Sequence, residues 1–202
     1  QHDLINSSES QFRFSTLYVD ASDRDRKWNA RIGRQTQTSG GILGRFDGIA
    51  AGYQITPKWK VNSAIGLPVV ISAANTPQTD KEFYSISLER ATFAKYWSGS
   101  VFAMKQTAFG LDDRSAVGLE LRYLNPDATV FSLLDYDIDY EAVNIAQAIA
   151  NVRFKNKTTI NLVADYRRSP LLTTSNALLG QTVTSLDVLL QTFTEEQIKQ
   201  LA

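Results

Sequence analysis

Ser115-Ala116-Val117-Gly118-Leu119-Glu120-Leu121-Arg122-Tyr123 decides how this chain is built. Val117, Leu119, Leu121 and Tyr123 share one parity, and Ala116, Gly118, Glu120 and Arg122 the other. Successive side chains of a strand point to opposite faces, so two full charges oppose four apolar groups across one sheet. The run from Leu134 continues the pattern: Leu134, Tyr136, Ile138 and Tyr140 alternate with Asp135, Asp137 and Asp139, putting three carboxylates on one face.

Working outward, Tyr84, Ile86 and Leu88 oppose Ser85, Ser87 and Glu89, while Trp28, Ala30 and Ile32 oppose Asn29, Arg31 and Gly33. Val143, Ile145 and Ile149 oppose Asn144, Ala146, Ala148 and Ala150. Ile160, Leu162, Ala164 and Tyr166 oppose Thr159, Asn161, Asp165 and Arg167. Less regular strands are expected at 12–20, 48–56, 59–67 and 97–106. About ten nearly consecutive strands read as an antiparallel meander and not as alternating strand-helix units. Short turns are expected at 56–58, 93–95, 125–127 and 156–158, with longer loops at 35–44, 68–81 and 107–114. That places the N-terminus, the longer loops and the tail at one rim and the short turns at the other.

The expected fold class is therefore all-β: an antiparallel up-and-down meander of about ten strands forming part of a transmembrane β-barrel, with a short helical C-terminal segment. Residues 1–10 are expected to be a disordered lead, 11–170 the barrel segment, and 171–202 a loop plus short helices. In the tail, Leu186, Val188, Leu189, Leu190 and Phe193 take helical spacing, and Thr194-Glu195-Glu196-Gln197 is a capping box opening a second helix.

Composition narrows the chemistry. The 202 residues hold 21 Lys+Arg and 21 Asp+Glu, so the formal charge is zero and a basic footprint for nucleic acid is absent. There is no Cys, and His2 is the single His, so thiolate zinc sites, cysteine nucleophiles and Ser-His-Asp machinery lack raw material. Asp135, Asp137 and Asp139 open like a calcium loop, but the sixth position is Tyr140 where Gly is required and the twelfth is Ala146 where Glu is required. Pairing with Arg122 or Arg167 on neighbouring strands is the expected fate of these carboxylates. Gly40-Gly41-Ile42-Leu43-Gly44 lacks the Lys-Ser/Thr of a phosphate loop and reads as a flexible turn. No catalytic, cofactor-binding or metal-binding residue emerges, and no enzyme activity is expected.

Which face is wet decides between a soluble sheet and a membrane wall. The charged face also carries small residues, and aromatics gather near strand ends, where a membrane-interface girdle places them. On that reading Arg31, Arg34, Glu120, Arg122, Asp135, Asp137, Asp139, Asp165 and Arg167 line a polar passage. Trp28, Trp59, Tyr96, Trp97, Tyr123, Tyr136 and Tyr166 mark the membrane interface. The alternative is a soluble β-barrel or sandwich that binds a ligand or partner through Trp59, Tyr96 and Trp97.

The text from Ala30 to Gln35, then Gly40 to Gly48, and from Gly52 to Lys60, resembles strand-loop-strand sequence of porin-like outer-membrane barrels of Gram-negative bacteria. The likeness spans about residues 10–170 and is one of style, without a diagnostic motif. It implies an outer-membrane location, a lipid-bilayer partner, and a passage for small solutes or an exported chain. About ten strands is small for a porin, which leads to the expectation that further barrel strands or subunits complete the wall.

Overall fold

The computed structural model describes residues 14–69, 79–183 and 185–202. Ten strands follow one another: β1 Leu17–Ser22, β2 Trp28–Gln37, β3 Gly44–Thr56, β4 Trp59–Pro68, β5 Lys81–Phe93, β6 Trp97–Ala108, β7 Leu111–Asn125, β8 Ala128–Asp137, β9 Ala142–Arg153 and β10 Thr159–Arg167. They form one antiparallel sheet in sequence order, the all-β up-and-down meander. The tail adds a 3-10 turn at Thr174–Leu178 and two helices, α1 Leu186–Leu190 and α2 Glu195–Leu201. The capping box at Thr194 and Gln197 is present in both directions and opens α2.

Register sorts the side chains into two rows. On one face Val19, Ile32, Ile49 and Ile65 stand side by side, and Leu88, Val101, Leu119 and Leu134 continue the layer. On the other, Arg31, Ala50, Ala64, Ser85, Met104, Ala116 and Asp137 are successive neighbours. The polar face is concave. The loop 38–43 between β2 and β3 touches Ser85 on β5 and Glu120 on β7. A loop of six residues spans strands spaced about 4.8 Å apart in this way only if the sheet curls around it. Gly33, Gly48 and Gly66 lie abreast at the bend, where a Cβ on Gly48 would fall 2.1 Å from the Ile65 carbonyl oxygen.

Two apolar clusters hold the concave side. Ile42, Phe46, Ala64, Phe83 and Met104 pack under the loop, with Phe46 and Phe83 edge to face at 5.0 Å. Leu186, Leu189 and Ile198 of the tail pack with Ala177 on Ala108 and Leu111 at the β6–β7 end.

Several expectations are corrected in detail. The first strand begins at Leu17, with residues 12 and 13 outside the described set, as is most of 68–81. The expected 107–114 loop is a hairpin turning at Phe109 and Gly110, both at positive φ, so β6 and β7 run almost to the tip. The faces of β9 are the reverse of the alternation read from Val143: Ile145 sits opposite Asp135 on the concave side, and Ala146, Ala148 and Ala150 join the convex face. A register shift at Asn144 is the cause, since one extra residue exchanges the faces on either side of it.

Candidate functional site

The concave face opens a cavity of about 400 Å³ between β2 and β7. Asn29, Arg31 and Gln35 of β2 face Ser87 and Glu89 of β5, Ser98 and Ser100 of β6, and Glu120 and Arg122 of β7. Alternation explains the set: each is a polar residue on the parity opposite the apolar row. Its charges are largely paired inside the wall. Arg31 Nε lies 2.6 Å from Asp20 Oδ1, and Arg122 Nη2 lies 3.2 Å from Glu120 Oε2. Such a surface offers amides, hydroxyls and compensated charges, which hydrogen-bond a small hydrophilic solute without selecting strongly for its sign.

The loop 38–43 forms one wall of this space. The Gly40 N–H donates to Glu120 Oε1 at 3.1 Å, Ser85 Oγ donates to the Gly40 carbonyl, and Arg114 Nη1 donates to the Gly41 carbonyl at 3.0 Å. Ile42 is buried beside Phe46. The glycines that read as a flexible turn are thus pinned by three hydrogen bonds to two strands, β5 and β7. Gly41 has φ +79, and a Cβ there would stand 2.8 Å from Phe102 Cε2 and 3.0 Å from Met104 Cβ. A Gly41→Val chain is expected to lose about 1–3 kcal/mol from left-handed strain and overlap. Limited proteolysis should then cut within 38–43, where the parent resists; unchanged resistance would refute the docked loop.

Deeper on the same face lies a second polar layer. Arg114 pairs with Asp135, both almost fully buried. Asp113, also buried, accepts from Lys81 Nζ at 3.1 Å, from Gln106 Nε2 at 2.6 Å, and from the Ser175 N–H at 2.7 Å. Thr174 Oγ1 donates to the Asp112 carbonyl at 2.6 Å and meets Tyr140 Oη at 3.1 Å, so the tail is stitched to the rim. Burial pushes the Tyr140 phenol above its ordinary range, opposed by the Thr174 hydrogen bond.

The residues expected to line a passage divide into groups. Arg31, Glu120 and Arg122 meet at the cavity. Asp135 and Asp137 lie on the concave face, deeper in the wall, and Asp135 pairs with Arg114 and not with Arg122 or Arg167. Asp165 and Arg167 share the concave parity of β10, far round the sheet, 3.9 Å apart and exposed. Asp139 stands in the turn after β8, because the strand ends at Asp137, whose Oδ1 accepts the Asp139 and Tyr140 N–H groups. Arg34 is on the convex face, paired with Asp47 at 2.7 Å. It stands three positions after Arg31, and an odd spacing cannot keep two side chains on one face of a strand.

Asp113 and Arg114 escaped sequence reading because the polar Leu111-Asp112-Asp113-Arg114 text resembles a loop. A register shift beside Asp113 turns it inward. Ser87, Glu89 and Ser100 also line the cavity, and the alternation of β5 already carried the signal for the first two. Among the described residues no group of three or more His, Asp or Glu side chains is arranged to hold a metal ion.

The convex face is the counterpart. Ile32, Ile49, Ile65, Ile86, Val101, Leu119 and Leu162 are all exposed on it. Its charged residues stand toward the rims, with Arg34, Asp47, Glu82 and Lys105 at the long-loop end and Arg90 beside Trp59 at the short-turn end. The expected interface aromatics fall into two levels. Trp28 pairs with Tyr53, and Trp97 with Tyr123, toward the short turns, where Trp59 and Tyr96 also lie. Tyr136 and Tyr166 stand toward the other rim, on the same face. Trp97, Tyr123 and Tyr96 form one ring cluster with centroids 5.1 and 5.6 Å apart.

No family model, no curated protein and no solved structure matches the chain.

Proposed function

We propose that the ten strands are part of the wall of a porin-like β-barrel in the outer membrane of a Gram-negative bacterium. The convex face meets lipid, and the concave face lines a passage for small hydrophilic solutes. One observation carries this reading: most of the large apolar side chains exposed on the sheet, from Val19 and Ile32 through Ile86 and Val101 to Leu134 and Leu162, sit on one face in a charge-free middle zone between two levels of aromatics, while charged residues of β5 and β7 such as Glu89, Glu120 and Arg122, and a few exposed apolar ones such as Ile149 and Val163, lie on the other. In water that arrangement is inverted, since contiguous apolar surface beyond a few hundred Å² is costly to leave exposed. In a bilayer it is the arrangement of lowest energy.

Two features add support. Apart from the six-residue β1, the strands run from nine to fifteen residues, against the ~9–11 that a tilted strand needs to cross a bilayer. The loop 38–43 narrows the concave space and leaves the cavity beside Arg31, Glu120 and Arg122 as the route. The proposal assigns no catalytic step, cofactor or nucleic acid to the chain.

The soluble reading, with Trp59, Tyr96 and Trp97 as a binding surface, is separated by one experiment. Membranes of expressing cells are washed with salt and alkali, then extracted with detergent, and the extract is run with and without heating. Retention until detergent is added, together with heat-modifiable migration, is the expected result. A monodisperse chain in plain buffer would sink the membrane wall and leave the binding module.

A further inference from the structure

Charge divides unevenly between the two rims. Among the described residues the five short turns, 23–27, 57–58, 94–96, 126–127 and 154–158, hold seven Lys or Arg and three Asp. The turns and the tail at the opposite rim hold two Lys or Arg and six Asp or Glu. The chain is neutral as a whole, so its basic end comes from placement and not from composition. None of the seven turn cations is in an ion pair, since the ion pairs among the described residues all join residues of the strands. Asp23 turns its carboxylate back onto the Trp28 N–H at 3.1 Å.

Acids are scarcest where the convex face meets this rim. The turns 57–58 and 94–96 carry no carboxylate and adjoin through β4 and β5, with the Ala91 N–H bonded to the Lys58 carbonyl at 2.9 Å. Lys58 and Lys95 are exposed there, and Arg90 stands opposite Trp59. Aromatic rings hold two of these three cations. The Arg90 guanidinium lies 4.9 Å from the Trp59 centroid and 5.6 Å from that of Phe93, and Lys95 Nζ lies 5.0 Å from that of Tyr96. Glu89, beside Arg90 in sequence, lines the cavity on the other face. A cation resting on a ring keeps its N–H donors for another acceptor. Unpaired cations at a level of aromatics match the phosphate layer of a lipid leaflet in both charge and height.

We propose that this rim is a docking surface for the headgroups of an anionic phospholipid leaflet, with Lys58, Arg90 and Lys95 contacting the phosphate. The inference rests on the membrane reading and adds to it which lipid the short-turn end selects. Phosphatidylglycerol carries an uncompensated phosphate charge, whereas phosphatidylcholine offsets the same phosphate with its own ammonium group. The acidic opposite rim repels anionic headgroups, so the preference belongs to one end of the wall.

The native tryptophans read this end alone, because Trp28, Trp59 and Trp97 are the three in the chain and each opens a strand at this rim. The full chain in phosphatidylcholine vesicles is titrated at low salt with phosphatidylglycerol brominated on its acyl chains, and in parallel with brominated phosphatidylcholine. A Lys or Arg at an anionic surface favours binding by about fivefold. Quenching is therefore expected to show a preference for phosphatidylglycerol of at least about tenfold. It should vanish in the triple variant Lys58→Gln, Arg90→Gln, Lys95→Gln. The double variant Lys58→Gln, Lys95→Gln changes exposed turn residues only and should lose most of it. Lys105→Gln, on the convex face at the opposite rim, should keep it. Equal quenching by the two lipids in the wild type would overturn the proposal, as would a preference that survives in the double and triple variants or that Lys105→Gln removes. Strong but equal quenching fails the docking surface alone, whereas no quenching by either lipid, with the chain dispersed in plain buffer, fails the membrane reading itself.

Discussion

Leu119→Arg is expected to lower stability by about 2–4 kcal/mol in a bilayer and to abolish heat-modifiable assembly. Leu119 stands between Val101 and Leu134 on the convex face, exposed, in the charge-free zone between the two aromatic levels. If the convex face meets lipid as proposed, a guanidinium there has only hydrocarbon around it. The next residue but two supplies the contrast. Arg122 is on the concave face with its side chain 49% exposed, and its contact with Glu120 is a half-open ion pair, of the kind that contributes at most about 1 kcal/mol. Glu120 keeps the Gly40 N–H as a partner when Arg122 is replaced. Arg122→Leu is therefore expected to assemble like the parent and to alter only the charge beside the cavity. Urea unfolding in lipid vesicles measures both variants. The reverse ranking, with Leu119→Arg benign and Arg122→Leu damaging, would mean that the convex face looks into water.

The fold was legible wherever the two faces of a strand differ strongly. In β7 the alternation of Val117, Leu119 and Leu121 with Gly118, Glu120 and Arg122 leaves one register only, since a slip by one residue would exchange charge for hydrocarbon on both faces. β9 lacks that contrast. Its faces are Ile with Gln and Ala with Ser neighbours, and the extra residue at Asn144 reverses parity midway, so pattern alone assigned it backwards. The candidate site was legible in part for the same reason. Arg31, Glu120 and Arg122 follow from alternation, whereas the loop 38–43 depends on contacts between residues up to eighty positions apart, such as Gly40 with Glu120. No local propensity encodes those contacts. What the sequence offered was Ile42, an apolar side chain between glycines, which a solvated turn has no reason to carry.

The buried pair behind that loop leads to the largest effect. Arg114 is 4% exposed and Asp135 1%, and the guanidinium that holds the carboxylate also donates to the Gly41 carbonyl. Replacing Arg114 with Met keeps most of the volume but strands Asp135 without its cation, which typically costs about 3–5 kcal/mol. The same change removes one of the three hydrogen bonds that dock Gly40 and Gly41, so stability and loop position should fail together. Changing both partners separates the causes. Arg114→Met with Asp135→Asn removes the stranded charge and is expected to recover most of the stability, but not the hydrogen bond to Gly41. The double variant should thus unfold near the parent's denaturant midpoint while its 38–43 loop stays open to protease. Recovery of both properties would show that the loop rests on Glu120, Ser85 and Ile42 without Arg114. Full stability in Arg114→Met alone would show that Asp135 reaches water, and the concave wall would then be wetter at this depth than its packing against Met104 and the tail implies.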